Sequence, residues 1–469
     1  MDRKHVKISS LADADPIQEA SLYQKRIKIF PKEVHGKFRN WKNIGVVLLL
    51  GLYYFIPWIR WNGTQIILFD LPNRQFHILG WTFWPQDFFL LTLFLILATL
   101  ALFLFTTLAG RVWCGYACPQ TVWTDIFFWI ERKIEGDRGQ QIKLDKQPWN
   151  AKKIRIKASK HGLWLLFSLF TGFTFVGYFT PILELWDHTT QLTMSAWETF
   201  WVFFYSLATY GNAGFLREQV CIYMCPYARF QSVMLDSDTY NVAYNDTRGE
   251  PRGSRRRDAD YKEQGLGDCI DCGLCVQVCP TGIDIRDGLQ YQCIGCAACI
   301  DVCDQIMEKM SYPKGLISYA SENQLHGGKT KILRPRIFVY AALITIFLGV
   351  LSYIIGTRTP LDLDVLRDRN SLFRETEEGW IENVYTIKII NMDQVKHEYT
   401  VTVTGIEGMQ IVELENAISV NSGEVYSMPV RVKADPGMTK KSISDIEFRV
   451  QSKDDEKLFS TEAARFITR

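Results

Sequence analysis

No cysteine precedes residue 114 of this chain, and none follows residue 303. Both ends therefore lack the means for a disulfide framework. The net charge is also slight, formally +2 over 469 residues. That figure by itself says nothing about nucleic acid, and the local distribution of charge matters more. The tripeptide-spaced signature Cys-x-x-Cys-His does not occur, which argues against covalent c-type haem. The first 40 residues are polar and basic, so no cleavable signal peptide is expected.

What is present is strongly segregated. Five apolar segments stand out, at about Ile44–Ile59, Phe88–Ala109, Leu163–Ile182, Trp197–Leu216 and Ile337–Ile355. Their length and composition are those of membrane spans. The fourth is the weakest, because it carries Glu198 and Asn212; a buried soluble helix is its alternative. Tyr53, Trp58, Trp61, Trp81 and Trp84 fall near span ends, as in an interfacial aromatic belt. Successive intervening segments carry ten, two, eleven, no and fifteen Lys or Arg residues. By the positive-inside rule this alternation puts the N-terminus in the cytoplasm and the C-terminus in the periplasm.

The expected organisation follows. Residues 1–43 are a cytoplasmic segment, 44–216 four spans with loops, 217–336 a cytoplasmic insert, 337–356 a fifth span and 357–469 a periplasmic domain. The last alternates as strands do, in Val384–Ile389, Tyr399–Val403, Val430–Val432 and Ile446–Val450. Turn signals at Asn421-Ser-Gly423 and Asp435-Pro-Gly437 separate these runs. Short strands at this spacing predict an all-β immunoglobulin-like sandwich, read as an interaction module.

The twelve cysteines come in close groups. Cys269-x2-Cys272-x2-Cys275-x3-Cys279-Pro280 precedes Cys293-x2-Cys296-x2-Cys299-x3-Cys303. This is the pattern of the bacterial two-cluster ferredoxins, in which the fourth cysteine of each run serves the other cluster. It assigns Cys269, Cys272, Cys275 and Cys303 to one [4Fe–4S] cluster, and Cys293, Cys296, Cys299 and Cys279 to the other. Gly273 and Gly295 are expected to let the backbone pass close by. Asp304 stands where proline would follow the second run, at a position that is not a ligand. The insert is thus expected to be an α+β ferredoxin-like unit in a reducing compartment.

Two further pairs share the pattern Cys-x-Tyr-x-Cys-Pro: Cys114 and Cys118 with Pro119, and Cys221 and Cys225 with Pro226. Each follows an expected span and precedes another helical run, Thr121–Ile134 or Tyr227–Leu235. Proline fits the first turn of such a helix. The first run is expected to lie on the membrane surface. If the turn between the thiols is helical, both thiols of a pair share one face. Thiolates suit Cu(I), zinc or iron–sulfur centres, and a dithiol can act as a redox pair; inert buried cysteines are the alternative. His77 and His188 are expected to be solvated loop residues, and Arg255-Arg256-Arg257 a solvated or lipid-facing patch. Tyr210, Asn212 and Glu198 either line a quinone pocket or satisfy one another.

These residues together resemble the cytochrome c oxidase accessory proteins of the FixG/RdxA/CcoG family, over nearly the whole length. The resemblance is carried by Trp113-Cys-Gly-Tyr-Ala-Cys-Pro119, Cys279-Pro-Thr-Gly-Ile-Asp-Ile-Arg-Asp-Gly288 and Cys293-Ile-Gly-Cys-Ala-Ala-Cys-Ile-Asp-Val-Cys303. Pro313–Tyr319, Val365–Asn370 and Ile381–Tyr385 extend it. It implies a multi-pass protein of the bacterial inner membrane that helps assemble cbb3-type cytochrome c oxidase. It further implies an oxidoreductase, a cupric reductase that makes Cu(I) from Cu(II), with copper as substrate or transient ligand at Cys114, Cys118, Cys221 and Cys225. Its partners would be membrane lipid, copper-handling proteins, oxidase assembly factors and an electron donor that the sequence does not name. A quinol-linked electron relay and a non-catalytic assembly scaffold are the rival readings.

Overall fold

The computed structural model describes residues 28–468, except 62, 258, 369–370, 394, 413–416 and 440–441. Most of the basic segment 1–43, and Asn370 of one family motif, lie outside the described residues. Helices α1 (Lys37–Phe55), α2 (Phe88–Ala109), α3 (Val112–Tyr116), α4 (Pro119–Glu135), α5 (Arg138–Lys146), α6 (Ala151–Val176), α7 (Ile182–Thr190), α8 (Ala196–Thr209) and α9 (Pro226–Met234) build the first half. The insert adds α10 (Asp246–Gly249), α11 (Leu274–Gln277), α12 (Ala298–Met310) and α13 (Glu322–Leu325), and α14 (Pro335–Thr357) leads to the C-terminal domain.

All five apolar segments contain helix, but they are not alike. Two helical stretches, Pro85–Ala109 and Pro335–Thr357, are long and apolar enough to cross a membrane, with mean hydropathies of 2.8 and 2.4. Only 6% of each apolar window is buried within the protein, whereas a soluble core helix would be mostly covered. They pack on each other, with Phe103 and Tyr340 rings 6.3 Å apart. Among the described residues no other helix reaches this length and apolarity. Helix α6 opens on basic residues, of which Lys153 and Lys160 are buried. The fourth segment changes at Thr209 into wide π-helical turns over Tyr210–Leu216 and Val220–Met224. Such turns recur at functional sites.

Helix α4 does not lie on a surface as its amphipathic pattern predicts. Phe127 and Ile130 pack with Trp164 of α6 and Ala213 of the first wide turn. The polar face of α4 is buried too, because ion pairs neutralise it: Glu131 meets Arg217 at 2.9 Å and Lys160 at 3.3 Å, and Glu135 meets Lys160 at 2.8 Å. Several basic residues counted for topology are therefore internal partners of carboxylates.

Residues expected to form a plain loop after α1 make a three-stranded antiparallel meander, Ile67–Asp70, Gln75–Ile78 and Trp81–Phe83. His77 is tied there to Thr82 at 3.0 Å rather than solvated. The C-terminal domain seats on this meander: Gln75 donates to the Gly423 carbonyl at 2.7 Å, and Arg358 pairs with Asp87 at 2.6 Å.

That domain is two antiparallel sheets face to face. One has Leu361–Arg367, Ile381–Asn391, Val425–Ala434 and Gln410–Val412 side by side, with Arg374–Glu375 at its margin. The other runs Ile418–Val420, His397–Thr404, Ile443–Ser452 and Phe459–Ile467. Inward residues at every second position, such as Tyr385, Ile387 and Ile389, are fully buried against Phe448 and Phe466. This is the period-2 pattern expected of a sandwich core.

Candidate iron–sulfur and thiol site

The insert is built as a repeat. Strands Asn241–Tyr244 and Ile317–Ala320 pair antiparallel at its ends, and each cysteine run turns into a helix between them. The residues flanking the second cysteine of each run are left-handed: Asp271 (φ 50°) and Gly273 (φ 63°) in the first, Gly295 (φ 66°) and Ala297 (φ 58°) in the second. Alternating handedness points successive N–H groups into one concavity, a nest that suits an anionic iron–sulfur centre. Gly295 N–H indeed faces Cys293 Sγ at 3.4 Å. The need for Gly273 is conformational, since a Cβ there would meet nothing within 4 Å. Gly295 is crowded as well, by the Arg111 backbone at 3.1 Å.

Two cavities lie between the runs. Cys269, Cys272, Cys275 and Cys303 line one, with Tyr244, Leu274, Ile306 and Leu316. Cys279, Cys293, Cys296 and Cys299 line the other, with Cys275 at its edge and Val242, Ile285 and Ile294 as its apolar wall. The first thus receives three thiols from one run and Cys303 from the other, and the second receives three from the later run with Cys275 and Cys279 from the earlier one. Burial pushes the Cys275 thiol up to about 11, and those of Cys293 and Cys303 up to about 12. Metal binding must displace these protons. Four thiols, an apolar wall and inward N–H groups fit a cubane cluster in each cavity. Cys272 is exposed, whereas Cys293 and Cys296 of the second cavity also line hollows shared with Arg111 and with Lys42 of the helical half.

The paired motifs sit against that face. Cys118 and Cys225 are the N-caps of α4 and α9, with Pro119 and Pro226 as the first helical residues. Because both cysteines are extended, neither pair lies on one continuous helix face as the spacing suggests. The two motifs interlock instead. Gln120 donates to the carbonyls of Asn212 and Arg217 at 2.9 and 3.1 Å, just ahead of Cys221. Gln231, on the helix after Cys225, lies 3.6 Å from Cys114 Sγ and donates to Gly110 O at 3.0 Å. Burial pushes the Cys114 thiol up to about 12, and neighbouring Cys118, Cys221 and Cys225 add to the shift. Burial likewise pushes Cys221 up to about 11. The four thiols share one neighbourhood, although among the described residues no three His, Cys, Asp or Glu side chains are set on one ion position.

Three contacts fasten the helical half to the insert. A Cβ on Gly115 would lie 2.9 Å from the carbonyls of Ile294 and Gly295 and 3.0 Å from Cys296 Cα. Arg111 donates to the carbonyls of Tyr291, of Cys293 at 3.0 Å and of Ala228 at 3.0 Å. Asp301, on the helix bearing Cys299 and Cys303, caps α1 by accepting from Phe38 N–H at 3.2 Å and Arg39 N–H at 2.7 Å. Sequence reasoning missed all three. Arg111 reads as one more basic residue at a span end, and nothing marks Gly115 or Asp301 as interface residues.

Other expected candidates resolve differently. Glu198 forms a capping box with Ser195 at the start of α8 and also meets His188 at 3.2 Å. Tyr210 meets His161 at 2.9 Å, so Tyr210 and Glu198 do not satisfy each other. In the run Arg255–Arg257, Arg256 and Arg257 are exposed as expected, whereas Arg255 donates to Gly267 O at 2.7 Å and Tyr312 OH at 3.1 Å and lies over the Tyr261 ring.

An insert with two cysteine-lined cavities, joined to long lipid-ready helices, defines a membrane-bound iron–sulfur electron-transfer protein. The sequence matches a 4Fe–4S dicluster domain over residues 216–322, a 4Fe–4S binding domain over 91–136 and the IG-like fold at the C-terminus of FixG over 351–469. It is 40% identical to the nitrogen fixation protein FixG of Rhizobium meliloti over 439 residues, covering 85% of this chain and 83% of the relative. Protein RdxB of Cereibacter sphaeroides is 41% identical over 442 residues, covering 90% and 91%. A solved FixG-related protein from Vibrio parahaemolyticus is 35% identical over 24% of this chain and 99% of its own, with a TM-score of 0.22. The chain belongs to the FixG/RdxA/CcoG family.

Proposed function

We propose that this protein reduces Cu(II) to Cu(I) at the cytoplasmic face of the bacterial inner membrane, for assembly of cbb3-type cytochrome c oxidase. The observation that carries this reading is the interlocked pair of Cys-x-Tyr-x-Cys-Pro turns, packed through Gly115 onto the Cys293–Cys296 loop. Cys269, Cys272, Cys275 and Cys303 hold one [4Fe–4S] cluster, and Cys279, Cys293, Cys296 and Cys299 hold the other. When bound, the clusters supply one-electron transfer, which matches the one electron that Cu(II) requires.

Cys114, Cys118, Cys221 and Cys225 receive the copper. Soft sulfur favours Cu(I) over Cu(II), so the thiols draw the reaction toward product. Burial pushes the Cys118 thiol up despite the backbone N–H groups of Thr121 and Gln120 beside it, so copper binding must displace a proton there. A gathered but unset group of thiols suits a metal that must leave again. The membrane arrangement that goes with this function has five spans, residues 217–336 in the cytoplasm and residues 357–469 in the periplasm. Copper-handling proteins and oxidase assembly factors are the partners.

The test is reduction of Cu(II) by anaerobically reduced, cluster-replete protein, with Cu(I) trapped by a specific chelator. Changing Cys114 and Cys118, or Cys221 and Cys225, to Ser should slow the reaction at unchanged iron content. Full rate in both double variants would remove the thiols from the mechanism.

A further inference from the structure

Each cysteine-lined cavity has an arginine close to it, and the two arginines differ in one respect. Arg286 lines the cavity of Cys269, Cys272, Cys275 and Cys303. Its charge is offset by two carboxylates, Asp271 at 2.6 Å and Asp284 at 2.6 Å. Arg111 lies against the other cavity's loop, bonded to the carbonyls of Tyr291, Cys293 and Ala228. It is buried, the side chains acting most on its charge are Cys114, Cys293, Tyr227 and Cys221, and among the described residues it forms no ion pair with a carboxylate. A guanidinium keeps its charge at any ordinary pH. Lys42 and Asp125, which also act on Cys296, are paired with each other at 3.2 Å, so the arginine at one cavity is neutralised and the arginine at the other has no carboxylate partner among the described residues.

We propose that Arg111 is an electrostatic positioning residue that raises the reduction potential of the cluster held by Cys279, Cys293, Cys296 and Cys299 above that of its neighbour, so that the electron resides on the side of the paired thiols. Reduction adds one negative charge to a cluster, and net charge and hydrogen bonding around the sulfurs set its potential. At an effective dielectric constant of about 20, a fixed cation about 10 Å from an added negative charge favours it by about tenfold. The Arg111 fork also grips the loop and α9 together, so the charge keeps its place relative to both Cys293 and Cys114. This inference rests on the reading that both cavities hold clusters, and iron content checks that separately.

The experiment is a redox titration of cluster-replete protein without copper, followed by electron paramagnetic resonance. Arg111→Gln keeps a hydrogen-bond donor and loses the charge. It should lower one potential by about tenfold in the reduced-to-oxidised ratio, about 59 mV for a one-electron couple, and leave the other in place. Arg111→Lys should stay within about threefold of the parent. Asp271→Asn removes one of the two carboxylates on Arg286, Asp284 remaining at 2.6 Å, and suits the left-handed backbone at that position; it should raise the other potential by about threefold, less because Asp271 is exposed. Both potentials unchanged in Arg111→Gln at full iron, both falling together, or Lys falling as far as Gln, would each overturn the proposal. If Arg111→Gln loses iron, an unmoved potential in Asp271→Asn overturns the electrostatic rule by itself. About four irons per chain in the parent would instead defeat the two-cluster reading.

Discussion

Gly115 offers the sharpest probe of how the paired thiols meet the insert. It lies within α3, where alanine would ordinarily be favoured by about 1 kcal/mol. Here the new methyl would stand 2.9 Å from two carbonyl oxygens and 3.0 Å from Cys296 Cα, against an ordinary contact of 3.4 Å or more. All three neighbours are backbone, so no side chain can swing away. Overpacking of this kind costs about 1–3 kcal/mol, which leaves Gly115→Ala destabilised by about 0–2 kcal/mol. The fold should tolerate that loss, while the Cys293–Cys296 loop and the Cys114 turn must part by roughly 0.5 Å, as scaled from ordinary contact distances. Misplacement by 1 Å can cost about a hundredfold in rate, so a loss of about three- to tenfold is expected here. The assay is stopped-flow reoxidation of reduced protein by Cu(II), with iron content and cluster resonance recorded on the same sample. Gly162→Ala, where a Cβ would meet nothing within 4 Å, is the control. If Gly115→Ala matches that control in iron, resonance and rate, the close packing of motif on loop plays no part in electron delivery.

Asp301→Ala removes the carboxylate that caps α1 and should cost about 1–2 kcal/mol. Hydrogen exchange should quicken in the first turn of α1 but not in the C-terminal sandwich, and unchanged exchange at Phe38 and Arg39 would refute the cap. For Asp125, burial alone would raise the carboxyl, but Lys42 and Arg39 outweigh it and hold it at about 2, below the ordinary 3.8. Because the folded value is depressed, this stabilisation is present above about pH 4 and fades as pH falls toward 2, and it amounts to about 2 kcal/mol. The melting temperatures of parent and Asp125→Asn should therefore differ at pH 7 and converge near pH 2; a constant gap would show that the ion pairs are not its source. Cys279→Ser should perturb the resonance of the cluster held by Cys293, Cys296 and Cys299, whereas loss confined to the neighbouring cluster would reverse the crossed assignment.

The features legible in the sequence are those written in short spacing. Two residues between cysteines leave room for a single turn, so three thiols converge within each run whatever the rest of the chain does. Period-2 alternation through Val384–Ile389 and Ile446–Val450 can bury one face only as strands, and these segments pair as expected. Proline after Cys118 and Cys225 tolerates the first helical turn and little else, and both helices start there.

Tertiary structure decided what depends on distant segments meeting. Amphipathic patterning put α4 at the membrane surface, but Lys160 and Arg217, on other elements, neutralise Glu131 and allow its polar face to be buried. Basic residues counted alike along the chain proved unlike in space: Arg286 is matched by carboxylates, and Arg111 only by carbonyls. The four paired cysteines stand more than a hundred residues apart in two motifs, and their meeting depends on Gln120 and Gln231 finding the opposite turn. Local spacing fixes which atoms can bind a metal together, because it limits how far they can be separated. Which site lies next to which is set by long-range packing, and no short stretch of chain encodes that.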